Sequence, residues 1–113
     1  EDERARIAGV FENRLNRGMR LQCDPTIIYG LGPDFDGNLT RKDLRDSANP
    51  YNTYRHSGLP PGPICSPGLA SLEAALSPED HGFLYFVATG KGGHHFSRTL
   101  KEHNRAVSEY QLR

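Results

Sequence analysis

Phe83-Leu-Tyr-Phe-Val-Ala-Thr-Gly-Lys-Gly-Gly-His-His-Phe-Ser97 is the stretch that decides the fold of this chain. Its first six residues form a compact aromatic and aliphatic run, which predicts a buried strand over 83–88. A glycine-rich turn follows over 89–93, and residues 94–97 are predicted to return as a second strand. The stretch therefore predicts a small antiparallel hairpin.

Helices are predicted on both sides of the hairpin, from apolar residues at three- and four-residue spacing and from capping residues. They cover residues 3–17, 24–30 with Asp24 as the N-cap, 41–46, a segment between Ser66-Pro67 and Ser77-Pro78, and 99–110. The length of 113 residues allows one domain. We therefore expect an α+β fold, a single small domain in which several helices pack on a small antiparallel sheet.

Composition excludes several classes of function. The chain has 14 basic and 14 acidic residues, so its formal net charge is zero and nothing indicates a nucleic-acid partner. It contains no run of 18 apolar residues, so no membrane span is predicted. The apolar fraction is low at 35%, and a helical pattern begins already at residue 3. These features lead us to expect a segment of a larger protein.

No motif for metal, phosphate or thiol chemistry is present. His94 and His95 are adjacent and would point to opposite faces of a strand, so they do not form a metal pair. Cys23 and Cys65 lack a paired metal spacing and could be a disulfide or two buried thiols. Residues 89–93 lack the spacing of a phosphate-binding loop and are better explained as a tight turn. We predict no metal and no cofactor.

The segment 51–68 is rich in proline, glycine and polar or aromatic side chains. Proline fixes φ and glycine permits positive φ, so the backbone here is predicted to be shaped and partly rigid. A stiff loop that presents amide, hydroxyl and aromatic groups suits a polar, ring-shaped ligand such as a sugar. The alternative is an ordinary surface connection. A second group of polar residues occurs over 21–29.

Blocks in register along nearly the whole chain resemble the YceG-like (MltG) family of endolytic murein transglycosylases. These blocks are Arg6-Ile-Ala-Gly-Val-Phe-Glu-Asn-Arg-Leu15, Gly18-Met-Arg-Leu-Gln-Cys-Asp-Pro-Thr-Ile-Ile-Tyr-Gly30, Tyr51-Asn-Thr-Tyr54, Gly58-Leu-Pro-Pro-Gly-Pro-Ile64, Pro67-Gly68, Phe83-Leu-Tyr-Phe-Val87, Gly92-Gly-His94 with Phe96, and His103-Asn104. Because all of these blocks occur in the same order as in the family, together they indicate the family more specifically than any single block does.

The resemblance implies a peptidoglycan lytic transglycosylase, which cleaves the MurNAc–GlcNAc bond of nascent glycan strands and leaves 1,6-anhydro-MurNAc ends. A glutamic acid protonates the glycosidic oxygen and then deprotonates the muramyl C6 hydroxyl, which closes the ring. The resemblance also implies a parent protein anchored in the bacterial inner membrane upstream of this chain. The catalytic domain would lie on the periplasmic side, this chain itself would be soluble, and penicillin-binding proteins would be candidate partners.

The resemblance also implies which residues line the glycan cleft. They are Gln22, Asp24, Thr26, Tyr29, Tyr51, Asn52, Thr53, Tyr54 and His94. If Asn52 contacts sugar, Asn52→Ala in an intact homologue should lower turnover without lowering the melting temperature.

The catalytic glutamate of the family belongs to a Glu-x-Glu segment just upstream of the first helix, and that segment is absent here. The acid role is therefore transferred to none of Glu1, Glu3 and Glu12. We expect residues 1–113 to be an N-terminally truncated part of the catalytic domain, without its general acid. Such a chain should release no anhydro-muropeptides from purified murein.

Two alternatives remain open at this point. The chain could be a binding module that contacts glycan or synthesis partners without chemistry. It could also be a pyridoxal-phosphate lyase of the aminodeoxychorismate lyase type, a label that this family has carried. That activity needs a Schiff-base lysine, and Lys42, Lys91 and Lys101 are all predicted to be exposed.

Overall fold

A computed structural model describes residues 2–110 of the chain, apart from the side chain of Asp34. The elements in order are α1 (Arg4–Asn16), α2 (Asp24–Leu31), a 3₁₀ turn (Gly32–Asp34), α3 (Arg41–Arg45), α4 (Leu69–Leu76), β1 (Tyr85–Ala88), β2 (His94–Ser97) and α5 (Leu100–Tyr110). Helices and one two-stranded antiparallel sheet confirm the α+β class. None of the helices within residues 2–110 has the length and apolar composition of a membrane span.

The chain divides into two compact units. The first, which we call the hairpin unit, comprises the described residues of Glu1–Asn13 and Pro67–Arg113, and the second, the loop unit, is Arg14–Ser66. In the hairpin unit β1 pairs with β2 from Tyr85 opposite Ser97 to Ala88 opposite His94. α5 packs on both strands, and Phe11 of α1 contacts the ring of Phe86 edge-on at a centroid distance of 5.8 Å.

The hairpin turn forms where it is predicted. The main-chain N–H and the hydroxyl of Thr89 both donate to the carbonyl of Gly93, at 3.0 and 3.1 Å. Gly90 and Gly92 have φ values of 81° and 90°, which glycine adopts at little cost. β1 begins at Tyr85 rather than Phe83, and its residues are half-buried or exposed. The prediction of a buried strand was therefore wrong, because within residues 2–110 the sheet has two strands and its residues keep part of their surface exposed.

A side-chain network joins α1 to the segment that precedes β1. The Asn13 amide donates to the carbonyls of His81 and Phe83, at 2.8 and 3.0 Å. His81 Nδ1 accepts from the N–H of Phe83 at 3.0 Å, so Nε2 carries the hydrogen and donates to the Arg6 carbonyl at 2.8 Å. His81 therefore has a structural role.

The caps of the helices agree in part with the sequence. Thr40 and Asp43 form the predicted reciprocal capping box at the start of α3. α2 has Cys23 as its N-cap, so the predicted N-cap role of Asp24 is wrong. Cys23 has extended dihedrals and Asp24 is already helical, which places the cap one residue earlier. The Asp24 carboxylate is therefore left for another partner.

The predicted apolar face of α4 is not buried. Its N-cap is Gly68 rather than Ser66, which puts the start of the helix later than Pro67 indicates. Leu69, Leu72 and Leu76 have exposed fractions of 73%, 46% and 84%. The helical spacing was recognised correctly, but it does not mark a core face within the described residues.

Candidate functional site

Asn52 lies at the centre of the Tyr51–Tyr54 segment and is completely buried, with an exposed fraction of 0%. Its amide nitrogen donates to the carbonyls of Asp43, Leu44 and Asp46, at 3.2, 3.1 and 2.9 Å. Its amide oxygen accepts from the N–H of Tyr54 at 3.0 Å. The side chain thus joins the carboxyl end of α3 to the loop, and in this structure it presents no polar atom to solvent.

Thr53 and Thr26 are also buried, and they hold the loop against the start of α2. The Thr53 hydroxyl accepts from the N–H of Cys23 at 2.8 Å, and the two threonine hydroxyls lie 2.9 Å apart. The Thr26 hydroxyl donates to the Cys23 carbonyl at 2.7 Å, and the Thr53 hydroxyl lies 3.3 Å from the same carbonyl. This network ties the main chain of Cys23, at the start of α2, to Thr53 of the loop.

Asp24 and Tyr54 form a pair at the surface of the loop unit. The Tyr54 hydroxyl donates to Asp24 Oδ1 at 2.9 Å. Burial, with a further contribution from this hydrogen bond, raises the pKa of Tyr54 to about 12. The phenol therefore keeps its proton throughout the neutral range. The exposed carboxylate of Asp24 retains a second oxygen that can accept hydrogen bonds from a ligand.

Tyr29 and Tyr51 form an aromatic pair, with ring centroids 4.8 Å apart and ring planes inclined by 51°. Tyr29 is 48% exposed and Tyr51 is half-buried. Buried Asn49 holds the segments that carry the two tyrosines together. Its amide nitrogen donates to the Ile27 carbonyl at 3.2 Å, and its amide oxygen accepts from the N–H of Tyr51 at 3.0 Å. The two rings therefore form a fixed, partly exposed aromatic surface.

Gln22 has an unusual backbone conformation beside this group of residues. Its φ of 53° is the only positive value for a non-glycine residue in the part of the chain that the structure describes. Such a conformation costs about 1–2 kcal/mol relative to the right-handed region. The N–H of Gln22 donates to the Thr53 carbonyl at 3.2 Å, and its side chain is exposed. The loop thus holds Gln22 in a strained conformation of the kind that occurs at binding sites.

His94 belongs to the hairpin unit, whereas the other eight predicted site residues belong to the loop unit. His94 Nδ1 lies 2.8 Å from Glu3 Oε1, and the His94 N–H donates to Glu3 Oε2 at 3.3 Å. The hydrogen bond from the imidazole is the main reason that the pKa of Glu3 is lowered. The sequence prediction did not include Glu3 among the site residues. Glu3 and His94 are 91 positions apart, so no local sequence pattern indicates their contact.

Several other candidate groups have no role that the structure supports. Lys42, Lys91 and Lys101 are exposed as predicted, whereas a lysine activated for Schiff-base formation is usually desolvated. Cys23 is half-buried and Cys65 is exposed, and both are free thiols, so neither predicted state of the pair is found. Within the described residues, no group of three or more His, Cys, Asp or Glu side chains is placed to hold a metal ion.

Curated relatives match almost the entire chain. This chain is 48% identical over 108 residues to an endolytic murein transglycosylase of Bacillus subtilis strain 168. The aligned residues cover 96% of this chain and 29% of the relative. The chain is 37% identical over 113 residues to the endolytic murein transglycosylase of Streptococcus pneumoniae strain D39, covering 96% of this chain and 20% of that protein. The chain thus spans less than a third of the length of either relative.

Structure and family comparisons agree with these relatives. The 2.6 Å crystal structure of a YceG-like protein from Listeria monocytogenes superposes with a TM-score of 0.82 and 50% identity, covering 93% of this chain and 33% of that one. The sequence profile of the YceG-like family matches residues 1–109. The chain therefore belongs to the YceG-like family.

Proposed function

We propose that this chain supplies a glycan-binding surface to a peptidoglycan lytic transglycosylase. The observation that carries the proposal is the partly exposed pair of Tyr29 and Tyr51, fixed by buried Asn49. Tyrosine rings cover the faces of pyranose sugars and lose little conformational entropy when they bind. The names of the curated relatives, endolytic murein transglycosylases, support murein glycan as the substrate class.

The predicted site residues then divide into two groups by burial. Asn52, Thr53 and Thr26 hold the loop, because their polar atoms bond to main chain and to one another. The exposed or half-buried groups contact sugar hydroxyl and N-acetyl groups directly. In the loop unit these contact residues are Gln22, Asp24, Tyr29, Tyr51 and Tyr54, and His94 of the hairpin unit is proposed separately as a contact residue.

The parent enzyme, in this proposal, cleaves the MurNAc–GlcNAc bond of nascent strands and leaves 1,6-anhydro-MurNAc ends. The muramyl C6 hydroxyl is the nucleophile, so one general acid suffices and the two-carboxylate arrangement of glycoside hydrolases is not needed. A general acid needs a raised pKa. The pKa of Glu3 is lowered by His94, and that of Glu102 is lowered chiefly by the N–H of Arg98. Neither carboxyl suits the acid role, and we propose that this chain alone binds glycan without cleaving it.

The proposal extends to the setting of the parent enzyme. Peptidoglycan lies outside the inner membrane, so the domain would work on the periplasmic side of a membrane-anchored protein. Penicillin-binding proteins, which polymerise the same strands, are the candidate partners. A pull-down of the parent protein from cross-linked envelopes, with and without glycan polymerisation, would test this part separately.

The test combines binding and product analysis. Titration calorimetry with soluble murein glycan strands should show binding to this chain, and Tyr29→Ala should weaken it about fivefold, since loss of an aromatic contact costs about 1 kcal/mol. Tyr110→Ala, a tyrosine of the hairpin unit, is the matched control. Mass spectrometry should find no anhydro-muropeptides with this chain, and should find them with the full-length B. subtilis relative.

Two results would overturn the proposal. Equal affinity of Tyr29→Ala and the unchanged chain would remove the aromatic pair from the glycan site. Anhydro-muropeptides released by this chain alone would show that it contains its own general acid.

A further inference from the structure

We propose that Glu3 is a positioning residue for His94, which it holds with the hydrogen on Nδ1 and with Nε2 free for a bound glycan. This inference rests on the proposed function, because it assigns a hydrogen-bonding group of the hairpin unit to the same class of substrate. It adds a residue that precedes α1 and that the sequence prediction left without a role.

The carboxylate of Glu3 contacts His94 at two points. Oε1 lies 2.8 Å from the ring nitrogen Nδ1, and Oε2 accepts from the main-chain N–H at 3.3 Å. The two side chains are 19% and 30% exposed for Glu3 and His94, so the pair is only partly open to water. The glycine-rich turn comes close to the carboxylate, since a Cβ added at Gly93 would lie 3.6 Å from Oε2.

The contact at Oε1 sets the tautomer of His94. An ionised carboxylate can only accept hydrogen bonds, so Nδ1 must carry the hydrogen whether the ring is neutral or charged. The rings of Phe86 and Phe96 flank the imidazole at centroid distances of 5.6 and 6.4 Å and restrict its rotation. Across residues 2–110, nothing hydrogen-bonds to His94 Nε2, which can therefore accept from, or when charged donate to, a sugar hydroxyl.

Two other histidines have the opposite arrangement and serve as internal references. His81 Nε2 donates to the Arg6 carbonyl, because its Nδ1 accepts from a main-chain N–H. His56 Nε2 lies 2.9 Å from the Ser47 carbonyl, so it also carries the hydrogen on Nε2. His94 should thus differ from both in its hydrogen position.

A purely structural role for Glu3 makes a different prediction. The bond from Oε2 to the main-chain N–H of His94 would by itself hold the hairpin against the start of α1. Glu3→Gln retains the size of the side chain and an acceptor for that bond. It also adds an amide N–H that can donate to His94 Nδ1, which would move the ring hydrogen to Nε2. A structural role predicts no change in the ring when the hairpin remains folded.

The experiment is nitrogen NMR of the histidine rings in this chain and in Glu3→Gln. For His94 we expect Nδ1–H in the unchanged chain and Nε2–H in Glu3→Gln. For His56 and His81 we expect Nε2–H in both proteins. The main-chain spectra of the two proteins should agree away from residue 3. Glu3→Asp retains a carboxylate and should keep Nδ1–H. An Nε2–H tautomer in the unchanged chain, or an unchanged tautomer in Glu3→Gln, would overturn the inference.

A second arm uses an oligosaccharide of β-1,4-linked N-acetylglucosamine as the probe. It should shift the His94 Nε2 resonance of the unchanged chain, and Glu3→Gln should bind it about threefold to tenfold more weakly, the range of one hydrogen bond. Shifts at Tyr29 and Tyr51 without a shift at His94 Nε2 would overturn the inference and leave the proposed function standing. The absence of any shift would overturn the proposed function and this inference with it.

Discussion

Asn52→Ala is the substitution that best separates a loop-holding residue from a residue that only contacts sugar. The asparagine side chain is fully buried, and its amide makes four hydrogen bonds to main-chain atoms. Alanine would remove the partner of the Leu44 and Asp46 carbonyls and of the Tyr54 N–H, whereas the Asp43 carbonyl would still accept from the N–H of Asp46 at 3.3 Å. Our sequence-based expectation, an unchanged melting temperature, is therefore replaced by an expected loss of stability.

The size of the stability loss follows from the main-chain groups that would lose their hydrogen bond to Asn52. One buried group left without a partner costs about 1–3 kcal/mol, and water that enters the space of the lost side chain can recover part of this. With three such groups around one small cavity, we expect a loss of roughly 2–4 kcal/mol in the free energy of unfolding. For a chain of this size that corresponds to a decrease in melting temperature of roughly 10 °C.

The assay is urea unfolding of this chain, followed by circular dichroism, with thermal melts alongside. Asn38→Ala is the matched control, since Asn38 is exposed and its substitution should change the free energy of unfolding by less than about 0.5 kcal/mol. An Asn52→Ala chain that unfolds at the same urea concentration as the Asn38→Ala chain would refute the loop-holding role of Asn52.

The other residues of the loop unit give three further predictions. Thr53→Val should cost about 1–3 kcal/mol in urea unfolding, because the N–H of Cys23 loses its acceptor, and Thr53→Ser should cost less; equal losses would contradict the hydroxyl network. Gly30→Ala would collide with the Asn49 side chain and should cost roughly 1–3 kcal/mol by overpacking, whereas a Cβ at Gly68 meets only open space. The pKa of Tyr54, raised to about 12, predicts a late step in the tyrosinate absorbance titration that Tyr54→Phe abolishes. Its contribution to stability should be complete below pH ~10 and be lost as the pH rises toward about 12.

Local signals predicted the parts of the fold that local physics determines. The β-hairpin depends on a run of apolar residues and on glycines at positive φ, and both are visible in consecutive residues. The Thr40 capping box and the start of α5 after Thr99 depend on residues three positions apart. Each of these features needs no knowledge of distant contacts, and each was found.

The roles of the site residues depend on distant contacts and could not be predicted in the same way. A polar residue such as Asn52 suits a cleft and an interior equally well until the carbonyls of Asp43, Leu44 and Asp46 are placed around it. The pairing of Glu3 with His94 needs the hairpin to fold back to the start of α1. The sequence therefore indicated the group of residues, and the structure divides that group into buried side chains that hold the loop and exposed or half-buried ones that we propose to contact glycan.

In the proposed function, Tyr29 and Tyr51 together contact murein glycan. Intermolecular nuclear Overhauser effects between a soluble murein glycan strand and this chain measure that contact directly. We expect cross-peaks from sugar ring protons to the aromatic protons of both tyrosines, and weaker cross-peaks to Tyr51 at the same glycan concentration when Tyr29→Ala removes its partner ring. A bound glycan whose protons show cross-peaks to neither tyrosine would contradict the proposed contact.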